Sequence, residues 1–318
     1  MILPARALMR IRIPPNENSR RFVPQCFLMC AGIVLSACHP GNEEAKRLGR
    51  SCETGDVAAC NELAVRLQKG QYVLRDDGRA AELFDRACEG GVGEGCASLG
   101  VVYQRGAGVK RDSVRALSLF QRGCEGRGME GCTRLGILHR QGAGVTKDVT
   151  RAAALFQQAC DGGDMLGCGQ LGSLYAAGEG VGQDFSRAAD LLQRSCTAKV
   201  AFGCLGLGRL NLAGTGVPRN DSIGADLFEK SCEGGEPAGC VERGVVLEEG
   251  RGVEQDFEHA AMQYRQACGQ RNGEGCARLA AMYDRGTGVS RQPDRATTFR
   301  RRACEYGHKE SCEKPKGA

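Results

Sequence analysis

Residues 124–159, CEGRGMEGCTRLGILHRQGAGVTKDVTRAAALFQQA, decide the fold, because a shift of 36 residues either way lays Cys124–Ala159 on a near copy of itself. Cysteine recurs as Cys52, Cys88, Cys124, Cys160, Cys196, Cys232, Cys268 and Cys304. It recurs again eight residues after each, as Cys60, Cys96, Cys132, Cys168, Cys204, Cys240, Cys276 and Cys312. These C-x7-C pairs keep one period with no insertion. A period of this length marks a solenoid, in which each copy is one supersecondary unit that buries its apolar face on its neighbours.

Within a copy, counting from the second cysteine, leucine lies three on (Leu63, Leu99, Leu135, Leu171, Leu207, Leu279), and Gly or Ala lies four on, as at Gly100 and Gly136. A larger residue lies seven on, tyrosine at Tyr103, Tyr175 and Tyr283. Offsets of 0, 3, 4 and 7 trace one face of a helix, here helix A. Glycine inside a helix costs about 1 kcal/mol relative to alanine, so its recurrence predicts a neighbouring helix too close for a side chain. Ten after the cysteine, Gly70, Gly106, Gly142, Gly178, Gly214, Gly250 and Gly286 read as left-handed helix stops. G-x-G-V follows, then an N-cap for the next helix at Asp112, Asp148, Asp184, Asn220 or Asp256. A phosphate loop is excluded, since no strand precedes the glycines and no lysine recurs at a fixed place. Helix B shows its own face, as in Ala116, Leu119, Phe120 and Gly123, and ends on the next cysteine. Each C-x7-C pair therefore joins the end of helix B to the start of the following helix A. A loop this short adds roughly 2–3 kcal/mol per disulfide on chain-entropy grounds, and the bond sets the angle between repeats.

The N-terminus has another character. Arg6, Arg10, Arg12, Arg20 and Arg21 precede the apolar run CFLMCAGIVLSA, residues 26–37. The run is too short to span a bilayer, and its layout is that of a secretory signal. Leu35-Ser36-Ala37-Cys38 resembles the lipobox of bacterial lipoproteins, which makes Cys38 the acylated first residue of the mature chain; the plainer alternative is an ordinary signal peptide with a chance cysteine. Ser19-Arg20-Arg21-Phe22 hints at twin-arginine export, but a chain that must be oxidised outside suits the general secretory route. The expected organisation is a signal at 1–37, a tether and capping helix at 38–51, and a solenoid with a C-terminal cap at 52–318. Setting aside Cys26, Cys30 and Cys38 from the 19 cysteines leaves eight pairs, which in an exported chain reads as a disulfide framework. Zinc is the weaker alternative, because no histidine joins the pairs at a repeating position. Beyond the signal the chain has 38 basic and 37 acidic residues, which removes the electrostatic case for nucleic acid or an anionic membrane surface.

The pattern L-G-x-x-Y-x-x-G-x-G-V-x-x-D, followed by A-x-x-L-F and a helix-ending A-C, resembles the Sel-one-like repeat family, helical relatives of the tetratricopeptide repeats. One C-x7-C per repeat is similar to its exported, cysteine-rich Hcp-type subgroup. The resemblance covers Cys52 to Cys312 and implies an all-α, right-handed α-solenoid of seven 36-residue helix-turn-helix repeats, one disulfide per junction. Three local departures stand out: Tyr72 for a loop glycine, Gln292-Pro293 for a helix B cap, and Arg243 for a helix A leucine.

Such solenoids hold extended peptides in the concave groove lined by helix A. Mapped onto this chain, the resemblance points to Phe202, Leu205, Arg209, Leu212, Val241 and Val245 as the partner-binding set, with Arg209 supplying a directional contact. The plainer alternative is that these side chains pack between adjacent A helices. The framework also diverges here, at Ala198-Lys199, Asn211 and Gly224. The reading is a monomeric, non-enzymatic, lipid-anchored envelope protein, periplasmic or surface-exposed, with no cofactor, whose partner is a protein or peptide. Members of the subgroup are assigned penicillin binding or weak β-lactamase activity, so a β-lactam-binding protein is the enzymatic alternative, and an envelope spacer the structural one. One S-x-x-K occurs, Ser311 to Lys314, without S-D-N or K-T-G. His39, His139, His259 and His308 form no zinc spacing, His139 standing in the tyrosine slot, and Glu248-Glu249 reads as a solvated helix end.

Overall fold

A computed structural model describes residues 40–312. Cys38, the signal-like segment and Lys314 lie outside the described residues. Helix α1 (Pro40–Glu53) precedes seven A–B pairs: α2 (Val57–Lys69) with α3 (Asp77–Glu89), α4 (Gly93–Arg105) with α5 (Ser113–Glu125), and α6 (Met129–Gln141) with α7 (Val149–Asp161). Then come α8 (Met165–Ala177) with α9 (Phe185–Thr197), and α10 (Ala201–Ala213) with α11 (Asp221–Glu233). The last two pairs are α12 (Pro237–Glu249) with α13 (Phe257–Gly269), and α14 (Gly273–Arg285) with α15 (Pro293–Glu305). Among the described residues there is no strand.

The punctuation works as the residues suggest. Each A helix stops on its glycine in the left-handed region, from φ 66° at Gly70 to 74° at Gly106 and Gly286. Asp112 Oδ1 accepts from the backbone N–H groups of Val114 (3.0 Å) and Arg115 (2.9 Å), satisfying two donors that a bare helix start leaves unpaired. Asp76 caps α3 by accepting from the Arg79 N–H at 2.9 Å, a cap the sequence reading passed over. At Gln292-Pro293 no side chain caps α15; the proline instead occupies its first turn, where its missing N–H costs nothing.

The core bears out the reading of the helix-A glycines, since a neighbouring helix leaves no room for a side chain there. A Cβ on Gly136 would stand 2.6 Å from Phe156 Cε1, and one on Gly208 2.6 Å from Phe228 Cε1. The nearest intruder is a helix B ring of the same repeat, and at Gly208 a helix B carbonyl, Gly224 O, would lie at 3.2 Å as well. Phe120, Phe156 and Phe228 are fully buried by this arrangement, and so is Phe84, whose repeat has Ala64 at the glycine position. Burying one such ring stabilises by about 1.5–3 kcal/mol, more than the roughly 1 kcal/mol that a mid-helix glycine costs.

All eight C-x7-C pairs are disulfides between the end of one repeat and the start of the next, with Cα–Cα separations from 4.5 to 4.8 Å. A second contact sets five of the junctions. Where the loop glycines Gly108, Gly180, Gly216, Gly252 and Gly288 stand, a Cβ would strike the backbone at the start of the preceding B helix. In the first copy Tyr72 holds this place at φ 60° and lays its ring over Gly41 of α1, so the departure serves the capping helix. Helix α1 buries Ala45, Leu48 and Cys52 on the first repeat, and a 3-10 turn at Lys309–Cys312 follows α15. From α4 to α14 successive A helices touch one another directly, whereas B helices make no comparable contact. The A helices therefore form the shorter, inner wall.

Candidate binding groove

Two adjoining depressions on the inner wall share Arg209. The first, about 270 Å³, has an apolar lining that includes Ala176 and Leu192 beside Phe202, Leu205 and Leu210. The second, about 250 Å³, is lined by Val241 and Val245 together with Glu242, Glu274 and Arg278.

Phe202 is half-buried, its ring 3.4 Å from where a Cβ on Gly169 of α8 would stand. Val245 is also half-buried and faces the second depression. Leu205 and Val241 border the depressions but are only 4% and 8% exposed; their bulk belongs to the packing between repeats. Arg209 is exposed, yet its Nε and Nη2 both donate to Glu242 Oε1, at 2.9 and 2.7 Å. Its directional contact is made within the protein, across two successive A helices. Leu212 leaves the groove altogether. It packs with Ala225 and Phe228, and a Cβ added at Gly224 would overlap its Cδ1. The divergence at Gly224 is thus a packing exchange: glycine replaces the usual helix B alanine and makes room for a leucine where Arg140 and Glu248 stand in other copies. Buried Asn211 donates to the Leu207 carbonyl at 2.9 Å, a helix-internal bond. Lys199 takes φ 63°, as Arg127 and Arg271 do in equivalent turns, so that divergence is not peculiar to the centre.

Leu192 and Gly206 were missed. Four helices carry phenylalanine at the Leu192 position, and other A helices carry Glu62, Arg134 or Gln170 at the Gly206 position. A Cβ on Gly206 would come within 2.6 Å of Leu192 Cδ2, so leucine floors the depression and glycine leaves it uncovered. Reading the repeat column by column would have found both.

Elsewhere Glu248 is no solvated end. It accepts from the Tyr264 hydroxyl at 2.9 Å and pairs with Arg285 at 2.8 Å. Burial, reinforced by the Glu248 carboxylate, pushes the Tyr264 phenol above its ordinary value. Arg243 pairs with Glu229 at 3.1 Å, while its Nε and Nη1 are buried without a partner. His139 is half-buried, with a partnerless Nδ1. Ser311 Oγ lies 2.9 Å from His308 Nδ1, and His308 Nε2 lies 3.0 Å from Glu274. These contacts line up hydroxyl, imidazole and carboxylate, and the Ser311 N–H donates to the His308 carbonyl at 3.0 Å. They tie the terminal turn to α14.

The Sel1 repeat model matches at residues 57–92, 93–127, 130–164, 166–200, 201–236, 237–272 and 273–308. The chain belongs to the Sel1 repeat family. Its solved neighbours include c5321, a protective antigen of uropathogenic Escherichia coli with an SLR fold, at 26% identity and TM-score 0.56. That match covers 84% of this chain and 57% of the E. coli protein, so the chain spans little more than half its length. A Sel1 repeat protein from Oxalobacter formigenes matches at 24% identity and TM-score 0.58, over 85% of this chain and 78% of that one. Cysteine-rich protein B (HcpB) of Helicobacter pylori matches at 27% identity and TM-score 0.34, over 41% of this chain and 93% of its own. Comparison with curated protein sequences gives no significant match. The Sel1 repeat is generally a scaffold fold, and such solenoids generally mediate protein–protein interaction. No described helix is long and apolar enough to cross a membrane.

Proposed function

We propose that this Sel1 repeat protein is an exported, lipid-anchored, non-enzymatic binding protein whose inner wall from α8 to α14 holds an extended segment of a partner protein. The observation that carries the reading is the apolar depression over Leu192, opened by two departures from the repeat and continued along the wall by a depression edged with Glu242, Glu274 and Arg278. An apolar anchor side chain suits the first and a charged stretch the second. Arg209 sets the border between them rather than meeting the partner with a free charge. Sixteen cysteines in eight disulfides suit an oxidising compartment, and Cys38 stands where acylation would tether the array.

Gly206→Gln tests the groove, because a long polar residue is what other repeats carry there and only the end of Leu192 must yield. A photo-crosslinker at residue 209 should trap one discrete envelope protein, and Gly206→Gln should abolish that product. The same crosslinker at exposed residue 193 on α9 should not trap it. A product insensitive to Gly206→Gln, or equal from both sites, rejects the groove. Cys38→Ser should release a soluble chain lacking the lipid mass; a membrane-bound product of unchanged mass rejects the anchor. The purified protein should not turn over nitrocefin.

A further inference from the structure

Seven copies of one joint make an exception visible. At five joints the second loop glycine lies against the start of the preceding B helix, as a Cβ on Gly180, 2.6 Å from the Val149 carbonyl carbon, would register. A Cβ added to Gly144 would meet nothing within 4 Å beyond its chain neighbours. The loop itself is ordinary: Gly142 and Gly144 keep φ 72° and 76°, and Asp148 N–H donates to the His139 carbonyl at 2.9 Å. What has changed is its distance from α5.

Leu117 accounts for that distance. Five of its six equivalents, Ala81, Ala153, Ala189, Ala225 and Ala261, are buried alanines, and the last is Thr297. Three extra carbons one turn into α5 hold the loop off, and Leu138 is left half-exposed where Val102, Leu174, Leu210, Val246 and Met282 are buried. Between them opens a cavity of about 330 Å³, at the small end of ligand sites, with Leu117, Phe120 and Leu138 in its lining. Val114, 80% exposed, extends the apolar lining outward.

Arg111 is the one charged residue in that lining. In the first and fifth copies its equivalents pair with an aspartate two residues on, Arg75 with Asp77 at 2.8 Å and Arg219 with Asp221 at 2.9 Å. Here residue 113 is serine, and Arg111 makes no ion pair among the described residues. Asp112, beside it, is committed to capping α5.

We infer that the cavity between α5 and the loop after α6 binds a small carboxylate with an apolar body, its acid on Arg111 and its hydrocarbon over Leu117 and Leu138. A guanidinium with no carboxylate of its own beside a half-open apolar space matches that chemistry, and the space itself is the departure from the repeat.

The disulfide-bonded mature protein should be titrated calorimetrically with hexanoate, 4-phenylbutyrate and indole-3-acetate. At least one should bind saturably with one site. Arg111→Gln, an exposed change, should weaken that acid about tenfold or more while leaving binding of its alcohol analogue unchanged. Leu117→Ala, the residue of five other repeats, should lower the loop and remove binding of acid and alcohol alike, with a melting temperature that reports whether the fold persists. Saturable binding by none of the three acids overturns the proposal. So does acid binding indifferent to Arg111→Gln, whatever Leu117→Ala does.

Discussion

Between α6 and α7 the ring of Phe156 takes the space that a side chain at Gly136 would need. Between α8 and α9 the same place, opposite Gly172, is held by Leu192, and a depression opens on the inner wall beside it. Helix lengths, the left-handed glycine stops and the disulfide geometry agree in the two repeats, so the difference at this place lies in side-chain volume. A repeat array tolerates this because each unit contacts only its neighbours: the frame is supplied several times over, and one copy can give up packing without losing the stack. The centre goes further in the same direction. Leu212 and Gly224 exchange volumes, and Gly206 uncovers what its equivalents would cover.

The comparison breaks first at its closed member. Phe156→Ala should cost about 3–5 kcal/mol in denaturant unfolding of the oxidised chain, since the ring fills a site that Gly136 cannot close. A cost near 1 kcal/mol would mean that the closed repeat is no better packed than the open one. At the open member, Gly224→Ala should destabilise by about 2 kcal/mol by overlapping Leu212, and adding Leu212→Ala should recover most of the overlap cost. Simple additivity in that double-mutant cycle would deny the exchange. Arg243→Leu should stabilise by about 1–2 kcal/mol, because it restores the repeat's leucine and removes two buried nitrogens without partners. A loss of stability would show that the Glu229 pair outweighs them. The smallest effect is Lys199→Gly, about 0.5 kcal/mol stabilising, where relief of a left-handed lysine is partly offset by glycine's greater freedom in the unfolded chain. Arg127→Gly in the closed region should match it, and a large difference between the two turns would show that the central turn is strained for another reason.

Much of this molecule is written at short range. A cysteine pair eight residues apart, a glycine that ends one helix and an aspartate that starts the next act over one or two turns, so the period, the helices and the disulfides were legible from residues alone. Periodicity also fixed which face of each A helix is apolar. It left undecided where residues at the edge of that face point, because that depends on partners far off in sequence. Leu212 turns to the core because residue 224 is glycine. Arg209 is held by Glu242, 33 residues on, and Leu192 floors a depression because residue 206 has no side chain. Gly144 stands free because Leu117 fills the place of an alanine. Sequence by itself determined a disulfide-stapled helical array; tertiary packing alone decided where that array is open, since a cavity is a difference between volumes contributed by separate helices.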